Sequence, residues 1–351
     1  PTGVLLAVTS VLVAAPDASL VRMLKAEALH TCGSHTEMVV FSCKWMAVCV
    51  VGTLFAALQQ PRAAWEAVAR AGWRYIAFGS LMVCFATNYA FGLMLCNASV
   101  AVMLFYLNPF WAAILDTVVL GRSLPTHTLQ AMPCALFAVA IPTALDTFFG
   151  DTGADAGGKG PFWMLVGFAC ALLGGVGYAG FLTTCQAAAK ADPNIPMNLG
   201  AVVGNGTAGV CGMLSLLSRG VDVGALMPGG YFWLLLATDA GCVAAAMALL
   251  CMAGSRLPSS DLALILLSEV VVAQLLLLIL GVEPPRAGHI GGATLLLVVL
   301  CAHEFAASRT SRQAVESSSS SPPDQSLATI PRTTVAVAHS VRESTTNELS
   351  L

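Results

Sequence analysis

Long apolar runs, separated by short polar segments, cover most of the chain between residues 3 and 305. The runs lack the apolar-polar alternation of membrane barrel strands, and most have about the 20 residues that cross a bilayer as a helix. The pattern therefore predicts ten transmembrane helices, at 3–21, 38–58, 75–95, 98–120, 126–145, 161–187, 197–218, 229–253, 259–281 and 287–305.

The composition also requires a membrane. Of the 351 residues, 57% are apolar and 10% are charged, and the mean hydropathy is +0.79. A soluble chain of this composition could not cover its surface with polar groups. The net charge of −3, without a dense basic cluster, argues against a nucleic-acid partner. We predict an integral, multi-pass membrane protein and leave its organelle open.

One helix is present in two copies, at 98–125 and 258–285, which align without a gap and share eight of 28 residues. In so apolar a chain, matched Leu and Ala residues carry little information. The matched helix start and helix end are more informative, because Ser caps helices and Gly and Pro stop them. These matches are Ser99/Ser259, Gly121/Gly281 and Pro125/Pro285.

The Gly- and Asp-rich stretch 146–160 separates two five-helix repeats, 1–145 and 161–305, and a Ser-rich tail, 306–351, follows with a composition typical of disorder. Because five is odd, the second repeat must cross the membrane in the opposite sense. The predicted fold class is thus an all-α polytopic membrane protein with two inverted five-helix repeats, an architecture typical of transporters. Lys and Arg near the helix ends divide eight to five, which favours cytoplasmic termini.

Gly, Pro and Glu marks within the repeats resemble those of the EamA repeats of the drug/metabolite transporter superfamily, and the resemblance covers residues 3–305. The marks are Pro109, Leu120-Gly121, Pro125, Leu267-Ser268-Glu269-Val270 and Leu280-Gly281-Val282-Glu283. Arg122 and Val270 depart from the family, which often has Glu and Pro there. The resemblance implies transport of a small metabolite. Related sugar-phosphate and nucleotide-sugar carriers typically hold phosphate with basic residues in the late helices, and the ninth helix here has none.

The repeat alignment brings Asn108-Pro109 and Ser268-Glu269 to matching positions near the middle of helices four and nine. Inverted-repeat transporters bind solute near this depth. Pro109 lacks an N–H group, so we expect a kink there that leaves a carbonyl facing a cavity, or a kink that serves packing alone. Glu269 is costly to bury in lipid, so we expect it to face a cavity, pair with another group or hold a proton.

Three further ionisable residues, Lys44, Asp116 and Asp239, lie inside apolar runs. Lys44 is a possible charge partner, although it could instead snorkel to the membrane surface. Tyr and Asn side chains can orient a solute, but each is also a common contact between membrane helices. The predicted solute-binding residues are Asn88, Tyr89, Tyr106, Asn108, Asp116, Tyr178, Asn205, Asp239, Ser268, Glu269 and Gln274.

Small residues are frequent in helices six and seven and predict close helix packing, either static or sliding. The glycines concerned are Gly174, Gly175, Gly177, Gly180, Gly204 and Gly206. The cysteines are interpreted as small packing residues, with Cys32 placed in a loop.

The function predicted from these patterns is alternating-access transport of an amino acid, an amine or a similar polar solute, with proton coupling open. No phosphate loop, Gly-x-Ser-x-Gly elbow or metal-ligand spacing of histidines is present in the sequence, so neither an enzyme nor a metal or cofactor is predicted. The expected partners are the solute, the lipid bilayer and protons, with a homodimer left open. The alternatives are a non-transporting receptor or scaffold that acts through its tail, and a sugar-phosphate or nucleotide-sugar carrier.

Overall fold

The computed structural model describes residues 2–59, 62–120, 161–221, 228–254, 256 and 259–281, with scattered positions at 133–138 and 291–309. Every regular element in these ranges is helical. A 3-10 turn at Gly33–His35 and a π-helical turn at Val68–Gly72 join longer elements. The α-helices are α1 (Thr2–Ala14), α2 (Asp17–Cys32), α3 (Thr36–Gln59), α4 (Arg62–Ala67), α5 (Trp73–Ala86), α6 (Tyr89–Leu95), α7 (Ala98–Phe105), α8 (Asn108–Leu120), α9 (Pro161–Ala191), α10 (Met197–Ser218), α11 (Gly230–Gly254) and α12 (Ser259–Ile279).

Five stretches of the described chain are long and apolar enough to cross a bilayer. Large apolar side chains cover their outward faces; Leu58, for example, is 85% exposed and Leu165 is 65% exposed. In water this surface would be unfavourable, whereas lipid accepts it. The chain is therefore an all-α integral membrane protein with several spans. The five stretches are Thr2–Leu58, Trp73–Leu95, Phe162–Ala191, Met197–Ser218 and Gly230–Gly254.

Eight of the ten predicted helical segments coincide with described helices, although three of the eight are interrupted. The remaining two, 126–145 and 287–305, lie largely outside the described residues, as do the linker 146–160 and nearly all of the tail. The five apolar stretches and the eight matched helices confirm the fold class, an all-α membrane protein. The number of ten spans stays a prediction.

The predicted boundary of the first helix is wrong. The sequence pattern ended it at residue 21, but α1 stops at Ala14, and after Pro16 the helical path continues as α2 to Cys32. Pro16 has no N–H group, which interrupts α1, but a proline is well tolerated at the start of α2. Cys32, expected in a loop, is 3% exposed at the end of α2.

The prediction ended the first helix before residues 22–32, whose charged groups have partners from distant parts of the sequence. The Arg22 guanidinium donates to the carbonyl of Cys96, and the Lys25 ammonium donates to the carbonyl of Met94. These carbonyls lie at the end of α6, where a helix has no partners of its own for its last C=O groups. The charges of α2 therefore cap the C-terminal end of α6.

The segment predicted as 98–120 is broken next to its proline. Tyr106 and Leu107 separate α7 from α8, and the carbonyl four residues before Pro109 is that of Phe105. A Cβ atom built on Gly175 of α9 would lie 2.7 Å from this carbonyl oxygen. The absence of a side chain at Gly175 thus gives the kinked backbone room against α9. The matching segment α12 runs without a break through Glu269, which keeps its N–H group.

The glycines of α9 bring it into close contact with the backbone of α5 and α6. A Cβ atom on Gly174 would lie 2.9 Å from the Tyr89 backbone nitrogen, and one on Gly177 would lie 2.5 Å from that of Ala86. On α10, a Cβ atom at Gly204 would come within 2.5 Å of the Ser80 carbonyl oxygen. The described helices therefore pack backbone against backbone, which requires glycine at these positions.

We predict that Gly177→Ala lowers stability by about 1–3 kcal/mol, because the added methyl group would overlap main-chain atoms that cannot move aside. The matched control is Gly241→Ala in α11, where a Cβ atom would meet nothing within 4 Å. The measurement is the midpoint of thermal unfolding in detergent. Equal midpoints for the two variants would contradict the close packing of α9 on α5.

Candidate functional site

A cavity lies among ten of the twelve helices that the structure describes and is lined by residues from both predicted repeats. The volume open to the centres of water molecules is about 90 Å³. This is room for several waters or a small organic group. Its lining is mostly apolar, with two carboxyl groups, Asp17 and Glu269. Its other polar and aromatic lining residues are Ser10, Trp45, Thr87, Tyr89, Phe105, Tyr106, Tyr178 and Asn205.

Glu269 comes from the middle of α12, and its side chain is 9% exposed. The Tyr106 hydroxyl, at the break between α7 and α8, is positioned to donate a hydrogen bond to its carboxyl group. No Lys, Arg or His is found among the residues that the structure describes as lining this cavity. Glu269 is therefore a buried acid whose described partner is a neutral hydroxyl group.

Four aromatic rings in the cavity lining are in contact with one another and form a connected wall. The Phe105 ring centroid lies 4.2 Å from that of Tyr89 and 5.2 Å from those of Tyr106 and Tyr178. These spacings are typical of favourable aromatic pairs. Because Tyr89, Phe105 and Tyr178 belong to α6, α7 and α9, the wall also ties three helices together.

Asp17, at the start of α2, connects the cavity to a buried ion network. The Lys44 ammonium of α3 contacts Asp17 Oδ1 and lies 2.5 Å from Asp239 Oδ2 of α11. It also lies 5.1 Å from the centroid of the Trp45 ring, within cation–π distance. The Lys44 side chain is 1% exposed and that of Asp239 is 0% exposed. One ammonium group thus joins α2, α3 and α11.

The snorkelling alternative for Lys44 is wrong. A snorkelling lysine would extend to the membrane surface, but this side chain is buried between two carboxylates. The alternative relied on the position of Lys44 near the start of α3. The snorkelling alternative did not consider Asp17 as a partner of Lys44. Asp17 lay near the C-terminal end of the predicted helix 3–21 and was given no role there.

Five of the eleven predicted solute-binding residues line the cavity: Tyr89, Tyr106, Tyr178, Asn205 and Glu269. Asp239 lies behind the cavity, in the network with Lys44 and Asp17. The five lining residues were predicted from their sequence positions alone. They come from five different segments of the chain and lie together at one site.

Three other predicted residues are not among the cavity lining. The Asn88 amide donates to the Phe85 carbonyl at 2.9 Å, and the Ser268 hydroxyl donates to that of Ile265 at 2.6 Å. Asn108 is 1% exposed, and its neighbours Leu107 and Phe110 belong to a separate apolar cluster. Helix position fixes the depth of a side chain but not its direction, and a role of these three residues in solute binding stays a prediction. The side chains of Asp116 and Gln274 lie outside the described residues.

Five polar or aromatic lining residues were not predicted from the sequence: Ser10, Asp17, Trp45, Thr87 and Phe105. Asp17 follows Pro16 within an apolar region, and this pairing of an acid with a helix-breaking residue was the available signal. Thr87 lies at the interruption between α5 and α6, which contains no proline and was not predicted. Trp45 gives no such signal, because tryptophan is common in membrane helices.

Within the described part of the chain, no group of three or more His, Cys, Asp or Glu side chains could hold a metal ion. Glu269 and Asp17 can accept hydrogen bonds from a solute, and the tyrosine hydroxyls can donate or accept them.

No family model and no curated protein matches this chain. Among solved structures, 25 chains match. One of them, known only as the crystal structure of a protein, is 18% identical, and the match covers 86% of this chain and 98% of that chain with a TM-score of 0.51. At this identity the likeness concerns the fold alone.

We predict that Lys44→Met destabilises the protein by about 3–5 kcal/mol, because it leaves Asp17 and Asp239 buried without their shared cation. The triple variant Lys44→Met, Asp17→Asn, Asp239→Asn should recover most of this loss by removing the orphaned charges. The control is Lys190→Met, at an exposed position on α9. The measurement is the unfolding midpoint in detergent. A single variant as stable as Lys190→Met would contradict the structural importance of the network.

Proposed function

We propose that the protein is a secondary transporter that moves a small organic solute across the membrane by alternating access around the cavity. The single observation that carries the proposal is a membrane-embedded cavity that holds a buried acid and takes its lining from both halves of the chain. Ser10, Asp17 and Tyr89 come from the first half, and Tyr178 and Glu269 from the second. Relative movement of the halves would therefore remodel the site.

The proposed architecture is two inverted repeats of five helices, as in the EamA-type transporters that the repeat marks resemble. In such folds, solute binds near the midplane, where the repeats meet and helices are broken. The breaks at Thr87–Asn88 and Tyr106–Leu107 adjoin the cavity and support this reading, since Thr87 and Tyr106 contribute to its lining.

The proposed solute is small and carries no phosphate. An anionic phosphate group needs Lys, Arg or clustered N–H donors, and the described cavity lining contains no basic side chain. This favours a metabolite carrier over a sugar-phosphate or nucleotide-sugar carrier. A proton is a candidate coupling ion, because an ionisable carboxyl group in a membrane cavity can exchange protons with either side.

The test is solute flux in proteoliposomes against amino acids, amines, nucleobases, sugars and sugar phosphates, with and without an imposed pH gradient. We expect flux of at least one solute and a loss of about tenfold or more in Glu269→Gln, because the uncharged side chain cannot carry a proton or pair with a cation. Glu66→Gln, at an exposed position on α4, is the matched control. Flux that ignores the gradient and survives in Glu269→Gln would indicate a facilitator with a structural glutamate.

A second prediction separates transport from the scaffold alternative. Removal of residues 306–351 should leave the flux within about twofold of the full chain, since every lining residue that the structure describes lies between Ser10 and Ala273. The measurement is the initial rate of uptake, normalised to the amount of protein inserted. A protein that transports nothing on the panel, with or without the tail, would favour the receptor or scaffold.

A further inference from the structure

The charge of the cavity is unbalanced. Asp17 and Glu269 line it, and Asp239, which is not among the described lining residues, shares the ammonium group of Lys44 with Asp17. Lys44 contacts Asp17 and Asp239, so its charge is already shared by two carboxylates. With every group ionised, these four side chains carry two more negative charges than positive ones. A monovalent cation bound in the cavity would reduce this excess from two negative charges to one.

The aromatic wall, whose Tyr106 contacts Glu269, is suited to the same guest. The faces of aromatic rings carry partial negative charge and attract cations, most strongly where water is excluded. Tyr89, Phe105, Tyr106 and Tyr178 form one connected group of rings on the cavity, and Trp45 adds a fifth aromatic side chain to its lining. Aromatic surface beside a buried acid is how proteins recognise ammonium groups that cannot be matched by hydrogen bonds alone.

The same lining disfavours the other solutes that remain open. A zwitterion or an organic anion would bring a carboxylate into a cavity whose described side chains offer no Lys, Arg or His to receive it. A neutral sugar needs many hydrogen-bonding groups, whereas most of this lining is apolar or aromatic. The volume near 90 Å³ available to water centres also limits the guest to a small molecule.

We propose that the cavity binds the ammonium group of a small monovalent organic cation, with Glu269 as its counter-ion and Tyr89, Phe105, Tyr106 and Tyr178 as its aromatic wall. Cation binding does not depend on the proposed transport function. Only the movement of the bound cation across the membrane rests on that function. The binding itself is a property of the cavity and is measured separately.

The decisive comparison uses two probes of nearly equal shape. Choline carries a trimethylammonium group, and 3,3-dimethylbutan-1-ol carries a tert-butyl group in its place. Equilibrium binding of radiolabelled choline to the purified protein in detergent, with the alcohol as competitor, isolates the contribution of charge. We expect choline to bind at least tenfold more tightly than the alcohol, a typical effect of a desolvated cation–π and ion-pair site.

Single substitutions test which side chains bind choline. Glu269→Gln should weaken choline binding about tenfold or more. Tyr178→Leu should weaken it about tenfold, while Tyr178→Phe, which keeps the ring, should remain within about threefold of the wild type. Tyr231→Leu, on the exposed surface of α11, is the control. Each variant is compared only after its unfolding midpoint is shown to match that of the wild type.

The wild-type comparison decides the proposal even if every variant misfolds. Equal binding of the two probes, tighter binding of the alcohol, or binding of neither at millimolar concentration would overturn it. Choline counterflow in proteoliposomes then separates the two claims. Selective choline binding without counterflow would support the cation site and count against transport. Flux of uncharged or anionic solutes by a protein that does not bind choline would overturn the cation site and leave the transporter standing.

Discussion

The charged groups inside this membrane bundle, buried Asp239, Glu269 and Lys44 with the half-buried Asp17, are the constraint on which the structure depends. Isolated charges are very unfavourable in lipid, so each must find a partner or a polar cavity. Lys44 meets this need for Asp17 and Asp239, and in doing so joins α2, α3 and α11. Glu269 is instead placed at the cavity, beside a tyrosine hydroxyl. The ion network and the cavity are therefore two parts of one polar interior.

Long apolar runs and the composition were sufficient to predict the helical membrane class and most helix positions, because lipid forces the backbone into helices and bilayer thickness sets their length. They could not predict where helices break. Pro109 marks one break, but the interruption after Ala86 has no proline. Residues 22–32 were misread because the acceptors of Arg22 and Lys25 lie about 70 residues away.

The candidate site was partly predictable for a related reason. An acid in an apolar helix is costly wherever it points, so Glu269 and Asp239 were recognisable from sequence alone. Asn88 and Ser268 have no such constraint, because a short polar side chain can bond to its own helix, and both do. Which residue meets which partner depends on helix rotation and tilt, and these follow from packing, such as that of α9 on the backbone of α5 and α6.

The capping of α6 by α2 should leave little covariation between the two helices in homologous sequences. Arg22 and Lys25 bind main-chain carbonyls, which every amino acid at positions 94 and 96 would supply. Substitutions there need no compensating change in α2, so the contact leaves no coupled substitutions between the two helices. Contact maps inferred from covariation would miss it, although it fixes one helix against another. The Lys44 network is formed by side chains alone, so substitutions within it should covary. In a covariation map this network would be the detectable contact of α2.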